Sequence, residues 1–104
     1  MFYIRKVTLT NANTNYKLYT LMNDLDPRCP ARCAEVQIQA NSANAGTVLV
    51  GDGSLSATNY GKELDSLDGT TVGGGSDKNG IALKNIYLRS ATAGQVCNII
   101  VRVV

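Results

Sequence analysis

Alternation of apolar and polar side chains organises most of this chain. Phe2 to Leu9 reads as a strand, with Tyr3, Val7 and Leu9 on one face and Phe2 and Ile4 opening the other. Asn11-Ala-Asn-Thr-Asn15 interrupts it, because Asn favours turns and competes for backbone hydrogen bonds. The period then changes. Leu18, Leu21, Met22 and Leu25 fall at i, i+3, i+4 and i+7, which predicts a short helix over Tyr16–Leu25, capped by Thr14 or Asn15 and stopped by Pro27. Tyr16, Lys17, Tyr19 and Thr20 also suit a strand.

Beyond the connector Asp26–Cys33 the two-residue period returns. Val36, Ile38 and Ala40 alternate with Glu35, Gln37 and Gln39, predicting a strand with one buried face. Shorter extended pieces are expected at Thr47–Val50, Lys62–Leu67, Thr70–Val72, Ile81–Leu83 and Ile86–Arg89, with loops at Ser54–Gly61 and Gly73–Gly80. The long segment Gln95–Val104 is apolar on both faces: Val96, Ile100 and Val104 on one, Cys97, Ile99, Val101 and Val103 on the other. Such a strand belongs in the middle of a sheet or between layers. Six to eight short strands at this spacing predict one domain over residues 1–104, a mainly β, jelly-roll-like antiparallel β-sandwich with one short helix near the N-terminus.

Composition narrows the chemistry. Asn, Gly, Thr and Ser make up about a third of the 104 residues, and only 17 % are charged. That mixture argues against a coiled coil and, with its apolar content, against disorder. Histidine is absent, which removes the commonest general base and metal ligand and points away from an enzyme. Net charge is +2, and the basic residues are scattered rather than gathered on one stretch, so no nucleic-acid partner is expected. No apolar run is long enough to span a membrane, and the opening residues lack the pattern of a secretory signal, so the expectation is a soluble protein made in the cytosol.

Individual motifs read as structure rather than catalysis. Cys29 and Cys33 are four apart, not at the three-residue offset of common redox and zinc motifs, and Cys97 lies in an apolar run, so three ordinary thiols and no metal are expected. The pairs Asp24/Asp26 and Asp65/Asp68 suit caps and turns, and Asp52-Gly-Ser54 lacks the alternating acids of a calcium loop. Gly73–Gly80 is glycine-rich but opens no helix to hold a phosphate. No cofactor is implied. Among the five tyrosines, Tyr60, beside Asn59 and Gly61, is the best placed for an exposed contact.

Val36-Gln-Ile-Gln-Ala40, Val48-Leu-Val-Gly-Asp52, Thr58-Asn-Tyr-Gly61, Leu83-Lys-Asn-Ile-Tyr-Leu88 and Cys97-Asn-Ile-Ile-Val101 together resemble runs in small virion proteins of tailed phages. The resemblance covers roughly Val36–Val104 and implies a jelly-roll-like capsid decoration, or cement, protein located on the virion after assembly in the host cytoplasm. Its partner would be the major capsid protein, and the chain itself a homo-oligomer, a trimer being one form. Candidate contact residues are Phe2, Tyr3, Arg5, Lys6, Asn59 and Tyr60. The alternatives are a glycan- or receptor-binding module of a tail or baseplate, marked by an exposed Tyr60, and a cupin-like enzyme, which the missing histidines disfavour.

Overall fold

A computed structural model of the chain describes residues 2–73 and 80–103. The protein is mainly β, with ten strands, one α-helix and one 3-10 turn among these residues. Two sheets have four strands each, and a third has two. The first runs β1 (Phe2–Leu9), β10 (Gln95–Arg102), β4 (Glu35–Ala40), β7 (Gly69–Gly73). The second runs β2 (Tyr16–Lys17), β9 (Tyr87–Arg89), β5 (Val48–Gly51), β6 (Lys62–Leu64). The third pairs β3 (Arg32–Cys33) with β8 (Ile81–Ala82). Every pairing is antiparallel.

One apolar core draws on both large sheets. Val7 and Leu9 of β1, Val36, Ile38 and Ala40 of β4, and Cys97, Ile99 and Val101 of β10 meet Val48 and Val50 of β5, Leu64 of β6 and Leu88 of β9. Gln95, the one polar side chain on the inward face of β10, is satisfied: its Oε1 accepts from Gly46 N–H at 2.9 Å and its Nε2 donates to Ala93 O at 3.2 Å. As its apolar character predicts, β10 is interior to its sheet, between β1 and β4. Gly94 enters it with φ +80°, a conformation that favours glycine, and its N–H donates to Leu9 O at 2.8 Å.

The helix departs from the expectation in three respects. It spans Leu18–Leu25 (α1) rather than Tyr16–Leu25, it is not N-terminal since β1 and β2 precede it, and neither Thr14 nor Asn15 caps it. Tyr16–Lys17 instead pairs with Leu88 and Tyr87 of β9, and the Leu18 N–H that a cap would satisfy donates to Ile86 O at 2.9 Å. Only Leu18 and Met22 of the apolar stripe are fully buried; Leu21 is half-buried and Leu25 is 52 % exposed. Two further corrections concern short elements. Arg32–Cys33, read as connector, is a strand, and Leu83–Asn85 is a 3-10 turn between β8 and β9. The glycine-rich loop at residues 74–79 and the last residue of the final strand lie outside the described residues.

Candidate docking surface

The strand period decides which side chains of the first sheet face away from the core. With Val36, Ile38 and Ala40 inward, Glu35, Gln37 and Gln39 point outward. Register then assembles rows across the sheet. Ile4, Ile100, Gln37 and Thr71 form one row, Lys6, Asn98, Gln39 and Gly69 the next, and Phe2, Arg102, Glu35 and Gly73 a third at the sheet's end. Amides knit this face together. Asn41 Nδ2 donates to Asn98 Oδ1 at 3.2 Å, Asn98 Nδ2 to Gln39 Oε1 at 3.2 Å, and Gln39 Nε2 to Leu67 O at 3.3 Å.

Charge on these three rows is sparse: Lys6, and Arg102 paired with Glu35 at 3.6 Å. A shallow basin of about 410 Å³ lies over the middle of the face, lined by Gln37, Gln39, Asn98, Ile100 and Thr71. A face of amides and aliphatic side chains loses little on leaving water if the amides find partners, whereas burying ions is costly.

β1 closes one edge of this sheet and carries four of the candidate contacts. Phe2 is 61 % exposed, and Lys6, two rows further along the same face, is exposed as well. Tyr3 and Arg5 alternate to the other side. Tyr3 packs against the core, and Arg5 Nη2 donates to Asp26 Oδ2 at 2.5 Å. Asp26 is 4 % exposed, just past the helix's C-terminal end, where the helix dipole disfavours a carboxylate. Arg28 compensates with its backbone N–H at 3.0 Å and its Nε at 3.1 Å on Oδ1, and its Nη2 at 3.2 Å on Oδ2. Hydrogen bonds from Arg28, side chain first, and the two guanidinium charges hold the Asp26 carboxyl below its ordinary value. Arg5 and Asp26 therefore fasten β1 to α1.

Asn59 and Tyr60 lie elsewhere. Their loop folds back over Gly51, against which Leu55 is buried, and leads into β6, which lies against β7, the edge of the first sheet opposite β1. The loop is tied internally. Ser54 N–H and Oγ both donate to Asp52 Oδ1, at 2.8 and 2.6 Å, and Asn59 Nδ2 donates to Ser54 O at 3.1 Å and Ser54 Oγ at 2.9 Å. Tyr60 remains 43 % exposed, with its phenol pushed up by a hydrogen bond to the Glu63 carboxylate. The structure thus places Phe2 and Lys6 on the outer face at the β1 edge, Tyr3 and Arg5 on the opposite side of the same strand, and Asn59 and Tyr60 near the far edge.

Other groups have structural surroundings. Cys29, Cys33 and Cys97 are buried free thiols; burial pushes Cys33 up to about 11 and Cys97 up to about 12. Asp65 and Asp68 close a turn on each other, Asp68 N–H to Asp65 O at 2.9 Å and Asp65 N–H to Asp68 Oδ2 at 3.1 Å. Among the described residues no group of three His, Cys, Asp or Glu is placed to hold a metal ion, and no buried side-chain nitrogen or oxygen lacks a hydrogen-bond partner. No helix among them is long and apolar enough to cross a membrane.

Sequence reasoning passed over Gln37, Gln39, Asn98 and Ile100 as surface and Asp26 as a turn residue. The alternation in Glu35–Ala40 carried the signal for the glutamines, and Asp26-Pro27-Arg28 carried one for the ion pair. No protein-family model, curated protein or solved structure matches the chain.

Proposed function

We propose that this chain is a virion structural protein, a decoration protein of jelly-roll-like sandwich architecture that sits on an assembled tailed-phage head and reinforces it by bridging neighbouring major capsid subunits. Two four-stranded antiparallel sheets feeding one core suit that architecture. The observation that carries the reading is the outer face of the β1–β10–β4–β7 sheet, where Gln37, Gln39, Asn98 and Ile100 line a shallow, nearly uncharged surface. Bridging needs two separated contacts, and the Tyr60 loop near the far edge supplies the second. Repetition over a lattice lets each contact be weak, because linked sites raise avidity without high single-site affinity.

Purified protein added to cognate expanded heads should bind to a saturating stoichiometry and raise their thermal resistance. Gln37→Glu with Gln39→Glu puts two charges on the face without touching the core. It should abolish head binding while lowering the free protein's unfolding temperature by only a few degrees, because the Gln37–Glu35 and Gln39–Leu67 hydrogen bonds it removes are exposed. Failure of the wild-type protein to bind heads, or its presence only in tails, rejects the decoration role.

A further inference from the structure

We infer that Leu67 is the apolar anchor of the amide face, held out of the fold so that it seats in an apolar socket on the capsid subunit that covers that face. The inference rests on the assignment of the face to the phage head, and it names the chemistry the partner must offer there. By its alternation Leu67 closes an extended piece Lys62–Leu67, but β6 ends at Leu64 and the chain turns at Ser66–Leu67. Leu67 is left with φ +71°. In this left-handed region the Cβ of an L residue crowds the following carbonyl, and only Gly and Asn adopt it routinely. The other positive-φ positions among the described residues are Asn13, Gly73, Gly80 and Gly94, the types that accept it.

Four hydrogen bonds impose this conformation. Leu67 N–H donates to Ala40 O, Asp68 N–H to Asp65 O and Ala40 N–H to Asp68 O, each at 2.9 Å, and Gln39 Nε2 donates to Leu67 O at 3.3 Å. Strained backbone persists where the surroundings over-determine it, and such positions cluster at functional sites. No packing inside the molecule offsets the strain, since the Leu67 side chain is 62 % exposed and stands outside the core. Among the described residues no other large exposed hydrophobic side chain has a positive φ.

Position identifies the partner. Gln39 points outward and its amide reaches Leu67 O, so the turn stands on the outer side of the sheet, beside the row Lys6, Asn98, Gln39, Gly69. Gln39 and Gly69 also line the shallow basin. Whatever covers the basin therefore meets Leu67 as well. The amides must exchange water for hydrogen-bonding groups, and the leucine gains by meeting apolar surface. The covering subunit accordingly combines polar groups over the basin with one apolar socket at its Gln39 end. Because the turn is already fixed, its backbone loses little freedom on docking, which favours affinity.

Three substitutions test this, read by retention on sedimented expanded heads and by calorimetry of the free chain. Leu67→Asn suits the left-handed backbone and removes the apolar side chain. It should raise the free protein's unfolding temperature by about 2–5 °C while weakening head binding about tenfold or more. Leu67→Gly should weaken binding as much, with an unfolding temperature no lower than that of wild type. Leu67→Met keeps both the apolar chain and the strain, and should bind within about threefold of wild type. Wild-type protein that does not bind heads removes the docking reading and the anchor with it. Wild-type binding that survives Leu67→Asn and Leu67→Gly within about threefold overturns the anchor alone and leaves the amide face in its role. An unfolding temperature that falls in both variants makes Leu67 a structural residue and overturns the proposal. So does a wild-type chain that sediments as a dimer and is dissociated by Leu67→Asn, which would give the leucine to a second copy.

Discussion

Ile99 and Ile100 are adjacent in β10, identical in chemistry and opposite in surroundings, so truncating each to alanine measures the two faces of the sheet separately. Ile99 is fully buried between Arg5 of β1 and Ile38 of β4 in register. Ile99→Ala deletes three buried carbons, about 2.4 kcal/mol of transfer free energy, and leaves a cavity that brings the cost to about 3–4 kcal/mol. For a domain near 100 residues that lowers the unfolding temperature by about 15–25 °C. Ile100 is half-buried on the outer face and leaves no enclosed cavity. Its truncation should cost about 1 kcal/mol or less, a shift of about 5 °C. Both variants lose the same β propensity, so the difference between them isolates burial. Calorimetry at one fixed, low protein concentration, which keeps any contribution from association small and equal, reads both shifts. Equal losses, or a larger loss at Ile100, would refute the assignment of that face to solvent and partners.

Three other perturbations probe the groups that shape these surfaces. Because the Asp26 carboxyl is held below its ordinary value of 3.8, its stabilisation is complete above that value and fades as pH falls through it to the folded-state value. Asp26→Asn should therefore lower the urea midpoint near neutral pH, with the gap to wild type narrowing at about pH 2; a constant gap counts against the ion-pair account. With burial raising all three thiols, a thiol reagent at about pH 8 should label the native protein slowly and reach three equivalents only on unfolding. Fast labelling of a single cysteine would show that its burial is misassigned. Glu63→Gln should bring the raised phenol titration of Tyr60 back down, followed by ultraviolet absorbance; no change would separate the two side chains.

Local patterning made β4 and β10 legible because both strands are long enough for a period to be counted and their inward faces are filled by the core. The helix stripe was legible for the same reason. Its start stayed open between helix and strand at Tyr16–Lys17, and what decides for strand is pairing with β9 and the bond from the first helical N–H to Ile86, partners some 70 residues away in sequence. The β3–β8 ladder is two residues long, too short to have a period. It is fixed by backbone bonds that flank it, from Leu83 N–H to Ala31 O at 2.9 Å and from Ala34 N–H to Arg102 O at 2.8 Å. The docking face was hidden differently. Gln37 and Gln39 read correctly as outward-facing, whereas Asn98 sits in a run read as apolar on both faces, and the union of the three into one surface depends on the register of β4 against β10, which no local pattern states.

The scarcity of ions on that face makes its salt response diagnostic. Contacts steered by several charges weaken steeply as the screening length falls from about 10 Å at 0.1 M salt to about 3 Å at 1 M. Lys6 is the one charge on the two central rows, and Arg102 and Glu35 at the end row are already paired. Neutral amide and aliphatic contacts have little to lose to screening. Binding to heads should therefore change by less than about threefold across that range, as measured by retention on sedimented heads. A loss of tenfold or more would place the contact on a charged surface, such as Lys84 and Arg89 or the Arg28–Arg32 stretch, and remove the amide face from the proposed role.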